Sequence, residues 1–161
     1  MTKYSLNRAL NLQEEGELEE ANEVLFELIQ TDNSNGYLYY LYASNFDSLG
    51  KERDAYPYYE KAICLGLDKN DLQGAYLGLG STYRTLGMYK DSEWVLSEGI
   101  KQFSNDNALK VFYAMTLYNL NRFNEATELL LKCIVETSND SNLNLYKRAI
   151  EFYAPRLNET W

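Results

Sequence analysis

One short turn signal recurs four times in phase along the chain, and it constrains the fold more than any other feature. Its copies read Gly16-Glu17-Leu18-Glu19-Glu20-Ala21, Gly50-Lys51-Glu52-Arg53-Asp54-Ala55, Gly87-Met88-Tyr89-Lys90-Asp91-Ser92 and Asn121-Arg122-Phe123-Asn124-Glu125-Ala126. Their first residues are 34, 37 and 34 positions apart. Gly, or Asn in the last copy, suits a positive-φ residue that stops a helix. The acidic residues that follow suit the start of the next helix, where they complement its dipole. Ala21, Ala55, Ser92 or Ala126 then falls in the first turns of that helix, small enough for two backbones to approach closely.

A helix-length apolar pattern lies on each side of every turn. Before Gly87, Tyr76, Leu79, Gly80 and Tyr83 recur at i, i+3, i+4 and i+7, one face of a helix. The same offsets give Tyr39, Tyr42, Ala43 and Phe46 before Gly50, and Lys110, Tyr113, Ala114 and Leu117 before Asn121. After the turns come Leu25, Leu28 and Ile29; Tyr59, Ala62 and Ile63; Leu96, Gly99 and Ile100; and Leu130, Cys133 and Ile134. Each unit therefore reads as two amphipathic helices around a tight turn. Polar linkers at 31–36, 66–71, 104–107 and 138–142 separate the units. The extra three residues of the second interval are placed in the linker at 66–71. Pro57 sits inside a second helix, where it removes a hydrogen bond and bends the axis.

A helix–turn–helix period of 34 residues resembles the tetratricopeptide repeat (TPR) family, and Tyr76-x-x-Leu79-Gly80-x-x-Tyr83 is similar to its W-x2-L-G-x2-Y signature with Tyr for Trp. The resemblance covers roughly residues 3–138. It departs from the family in lacking the proline that closes each repeat, and in carrying Ser5 and Arg8 where the first helix should be apolar. It implies an all-α fold: a right-handed α-solenoid of four TPR-like helix–turn–helix repeats, at about 3–35, 36–70, 71–105 and 106–140, plus a C-terminal capping helix at 141–158, all in one domain. In that last segment Leu143, Tyr146, Ile150, Tyr153 and Leu157 recur at spacings of 3 and 4 and predict one apolar face. That face either covers the last repeat or docks into another chain. Pro155 is expected to end the helix near Ala154, leaving Trp161 as an anchor or a loose terminus.

Composition narrows the function classes. The chain has no His, so the commonest general base and imidazole ligand are both missing. No phosphate loop is present; Gly78-Leu79-Gly80 reads as close-packing small residues within a helix, and Asp68-Lys69-Asn70-Asp71 as a linker and helix cap. An enzyme, a cofactor and a metal are therefore not expected. The net charge of −9 opposes nucleic acid, and no apolar run is long enough for a membrane span. Charge is uneven: residues 1–35 carry a local net of −6, residues 141–161 a net of +1. That asymmetry is either a solvated acidic face or a device that steers head-to-tail contacts between chains. Cys64 and Cys133, in apolar helical runs, are expected to be buried free thiols. Met1-Thr2-Lys3-Tyr4 leads into polar helical sequence without a secretory apolar run, so the expected location is cytoplasmic.

The resemblance further implies that first helices line a concave groove. Transferring the family register gives Tyr37, Tyr40, Ser44 and Asp47 from the second repeat, Leu77, Ser81, Arg84 and Thr85 from the third, and Val111, Met115, Tyr118 and Asn119 from the fourth. Part of this set is alternatively inter-repeat core. The Lys/Asn carboxylate clamp of chaperone-binding TPR domains is not reproduced, since Leu6 and Leu10 stand at its first positions. The expected function is a non-catalytic protein-interaction module that binds a peptide or helix in an aromatic, apolar groove. The second reading is a self-associating scaffold, a homodimer through the groove or the C-terminal helix. Trp94 falls on the outer face, as a second contact point or as cover for a neighbouring helix.

Overall fold

The computed structural model describes residues 4–160, and the expectation for Trp161 lies outside them. The described residues are all-α, as expected from the sequence. Helix contacts divide the chain into two compact units, one through Met88 and one from Tyr89. The first holds α1 (Leu6–Glu15), α2 (Leu18–Thr31), α3 (Gly36–Ser48), α4 (Glu52–Leu65) and α5 (Lys69–Thr85). The second holds α6 (Tyr89–Gln102), α7 (Asn107–Asn119), α8 (Phe123–Thr137), α9 (Ser141–Leu145), α10 (Lys147–Tyr153) and a 3-10 turn, Ala154–Arg156. The division falls at the turn inside the third sequence repeat.

All four turns are built alike. Gly16, Gly50, Gly87 and Asn121 take φ of 83°, 68°, 77° and 61°. The next amide then reaches back five residues to the preceding helix: Glu17 to the Leu12 carbonyl, Lys51 to Phe46, Met88 to Tyr83 and Arg122 to Leu117, at 2.8–2.9 Å. This satisfies a carbonyl that the helix end leaves without a partner, and it needs a left-handed residue between the two groups. Past the turn, Ala21, Ala55 and Ser92 are 0% exposed and Ala126 is 4% exposed, and Ala21, Ala55 and Ala126 sit where α1–α2, α3–α4 and α7–α8 pack.

In the first unit, α2, α3 and α4 surround a core of Val24, Leu25, Ile29, Leu38, Leu41 and the Tyr39 and Tyr42 rings. Tyr42 stacks edge-on to Tyr58 of α4, with ring centroids 4.7 Å apart, and to Phe46 at 4.8 Å. A buried amide relay joins three helices: Gln13 of α1 donates to Asn45 Oδ1, and Asn45 Nδ2 donates to Asn22 Oδ1 of α2 at 2.9 Å. Ser5 is the α1 N-cap, accepting the Arg8 amide at 3.3 Å, while the Arg8 side chain is exposed. α4 runs unbroken through Pro57. In the second unit, Ser92 and Thr116, both fully buried, share a hydrogen bond of 2.8 Å between α6 and α7.

Several expectations need correction. The three extra residues are not in the linker, which shrinks to 66–68; α5 has 17 residues where α3 and α7 have 13. Asp68 caps α5 early by accepting the Asn70 and Asp71 amides, so the added length joins the helix. Cys133 is buried but Cys64 is exposed. Cys64 lies two residues past buried Ala62, about 200° round the helix, and faces outward. Ile134 is 46% exposed, and Val135 takes its place on the buried side of α8.

The C-terminal segment packs on α8, as a cap should. It is built as two short helices and a 3-10 turn, of which α10 and the turn meet α8, because Tyr146 leaves helical geometry at ψ 7°. That break separates the faces of Leu143 and Ile150, which are partly buried, from Tyr146 and Tyr153, which are 61% and 50% exposed. Leu157 is also exposed, and Ala154 is the buried contact. The helix ends at Tyr153, where Pro155 places the tighter turn.

Two backbone positions give direct tests. A Cβ on Gly36 would lie 2.4 Å from the Gly66 carbonyl oxygen, so Gly36→Ala is expected to cost about 1–3 kcal/mol in urea unfolding. Asn121→Ala is expected to cost about 1 kcal/mol, and Asn121→Gly to match or exceed the parent midpoint.

Candidate functional site

Once each helix has spent one face on packing, a second face remains on α3. Tyr37, Tyr40, Ser44 and Asp47 follow spacings of 3, 4 and 3 and are all partly accessible, in contrast to Leu38, Leu41, Tyr42 and Asn45. On α5, Leu77, Ser81 and Arg84 are likewise partly accessible and Thr85 is exposed. The two helices pack on each other within the first unit.

The helices meet through two glycines. A Cβ on Gly74 would lie 2.3 Å from the Tyr40 hydroxyl, and one on Gly78 would lie 2.6 Å from the Tyr59 ring and hydroxyl. Gly74 and Gly78, one helical turn apart, thus leave room for an aromatic side chain from α3 and another from α4. Tyr40 and Tyr59 pack at a centroid distance of 6.2 Å, and Tyr37 and Tyr40 at 6.4 Å. Tyr40 is therefore partly accessible and partly committed to packing on α5 and on Tyr59. Tyr59, 3% exposed, is packing alone, and its hydroxyl donates to Asp47 Oδ2 at 3.4 Å.

The electrostatics of this face are acidic. Burial pushes the Asp47 carboxyl above its ordinary range and Glu52 adds to the rise. The Tyr59 and Thr82 hydroxyls oppose it, though buried Thr82 Oγ1 falls short of full hydrogen-bond geometry. Burial likewise raises the Tyr37 and Tyr40 hydroxyls, with the Asp71 carboxylate as the next cause for both. The Asp71 carboxyl is itself raised, by burial and by Asp68. A shallow pocket beside Tyr37 is lined by Gly66, Leu67, Asp68 and Asp71. The single Asp expected from the register thus becomes three carboxylates along one unit's face.

Sequence reasoning missed Asp71, Gly74, Tyr59 and Thr82 as contributors to this face. The lengthened α5 brings Asp71 alongside Tyr37, and the misplaced three-residue excess hid it. The four-residue spacing of Gly74 and Gly78 is the signal that finds the aromatic contacts.

The second unit carries its own positions. On α7, Met115 and Tyr118 are 39% and 63% exposed, and Val111 and Asn119 are half-buried. Tyr118 stacks edge-on to Phe123 at 5.0 Å. Trp94 is 64% exposed, so it does not cover a neighbouring helix. Among the described residues, no three His, Cys, Asp or Glu side chains gather as a metal group, and no helix is long and apolar enough to cross a membrane.

The raised Asp47 carboxyl has a pH consequence. Stability linked to a raised group is fully present below its ordinary value, 3.8, and is lost as the pH climbs through the folded-state value. Asp47→Asn should therefore raise the urea midpoint at pH 7, with the difference from the parent closing below about pH 4. Equal midpoints at pH 7 would show that the charge carries no cost.

The family pattern described as Tetratrico peptide repeat matches residues 36–157. No curated protein sequence matches the chain significantly. Among solved structures, the chain is similar to the MamA protein at 17% identity and TM-score 0.72, over 89% of this chain and 73% of that one. It is similar to the "MamA RS-1 ArsTM double mutant" at 15% identity and TM-score 0.75, over 93% and 83%. It is also similar to YrrB, described as a TPR protein with an unusual peptide-binding site, at 18% identity and TM-score 0.58, over 89% and 90%. At these identities the likeness is one of fold, and the family match, which spans well over half of the sequence, is what places the chain: it belongs to the tetratricopeptide repeat family.

Proposed function

We propose that the chain is a non-catalytic protein-interaction module whose α3–α5 face takes an extended peptide or an amphipathic helix. TPR proteins bind protein or peptide partners, and the supporting observation here is local. Tyr37, Tyr40, Ser44, Asp47, Leu77, Ser81 and Arg84 all stay partly accessible beside a packed core. Tyr and Leu offer large contact area with few rotamers to freeze.

The charge selects the partner. Asp47, Asp68 and Asp71 oppose an acidic tail, and a Lys or Arg side chain laid over Tyr37 and Tyr40 gains both a carboxylate and a ring face. The favoured ligand is therefore a segment with apolar and basic side chains. The lack of His fits a binding role without itself excluding chemistry. The structural similarity to YrrB, whose description names a peptide-binding site, is in keeping with this reading.

Selection of peptides from a random display library against the full chain tests it. Enriched sequences should carry Lys or Arg next to apolar residues. Tyr37→Ala should weaken their binding by about tenfold, the scale of a lost aromatic contact, with helicity unchanged. Acidic enriched sequences, or binding untouched by Tyr37→Ala and by Leu77→Ala, would overturn the assignment.

A further inference from the structure

The C-terminal segment leaves an apolar face uncovered. Within 13 positions Leu145 is 74% exposed, Tyr146 61%, Phe152 and Tyr153 50% each and Leu157 46%. Large side chains at this density mark a contact surface rather than ordinary scatter. Cations sit among them. Arg148 is exposed, and the Arg156 guanidinium lies 4.4 Å from the centre of the Phe152 ring.

A surface of opposite character lies on the first hairpin. There a pocket between α1 and α2 is lined by Tyr4, Val24 and Phe26 and by Glu20, Glu23 and Glu27, with Arg8 as its cation. Phe26 is 46% exposed, and all three carboxylates are exposed. Most of the chain's net charge of −9 is concentrated here: residues 1–35 hold −6, residues 36–140 hold −4, and residues 141–161 hold +1.

We propose that residues 145–157 of one copy dock on the α1–α2 pocket of a second copy, a heterologous contact that pairs an aromatic–basic surface with an aromatic–acidic one. Charge decides the occupant. Pairing the C-terminal face with itself sets cation against cation, and pairing the acidic hairpin with itself sets carboxylate against carboxylate. The head-to-tail pairing brings opposite signs together while covering apolar area on both sides. This contact is separate from the α3–α5 face, so either assignment can fail without the other.

Light scattering of the full chain against concentration tests the contact. The weight-average mass should rise above that of one chain and fall back when salt reaches about 1 M, where the screening length is about 3 Å. The variants Glu23→Lys with Phe26→Ser, and Tyr146→Ser with Arg148→Glu, change exposed side chains only, and circular dichroism verifies their helicity. Each variant alone should remain at the mass of one chain. Their equimolar mixture should reach the mass of two and no more, because only one intact pair of surfaces remains. A parent chain of constant single-chain mass would overturn the proposal. So would a Glu23→Lys/Phe26→Ser variant that associates as the parent does, since that shows the contact does not use the α1–α2 pocket.

Discussion

The structure depends on a chain reversal that only a left-handed residue permits. At Gly16, Gly50, Gly87 and Asn121 the backbone turns back, and one amide closes onto a carbonyl five residues earlier. The reversal alone would leave two helices splayed. The small residue five positions after the left-handed one, buried at Ala21, Ala55 and Ala126, lets the backbones of α1–α2, α3–α4 and α7–α8 close. Within the second hairpin that approach brings the Tyr42 ring of α3 edge-on to Tyr58 of α4.

Most of this was legible in the sequence because both parts of the device are local. The turn demands Gly or Asn at one position, and the helix period of its flanks demands apolar residues at i, i+3 and i+4. Tyr39, Tyr42, Ala43, Tyr76, Leu79 and Tyr83 are buried where that period places them. What the period cannot show is where a helix starts when capping competes with linker length. Asp68 captures two amides and converts the expected linker into a first turn of α5. In the tail, spacings of 3 and 4 describe a continuous helix, and the break at Tyr146 divides that face.

The candidate site was legible in part for the same reason. Register assigned Tyr37, Tyr40, Ser44 and Asp47 to a concave side of α3, and all four are partly accessible, since accessibility follows from which face packs. It carried no information on Gly74 beneath Tyr40 or Asp71 beside Tyr37, because both depend on how α5 lies against α3. The acidity of the face is thus a tertiary property. It also explains why Asp47 is unusual: a carboxylate held partly out of water by α3 and α5, opposed by Glu52 and supported only by hydroxyls. Such a group gains from a cationic partner what it lacks within the chain.

On the proposed function, the accessible side of α3 and α5 is where this TPR chain meets its partner. Hydrogen exchange of the full chain, with and without a library-selected basic–apolar peptide, tests it most directly. Slowed exchange on peptide addition should concentrate in residues 36–48 and 69–85. Slowing confined to the C-terminal segment, or to α6 around Trp94, with α3 and α5 unchanged, would contradict it.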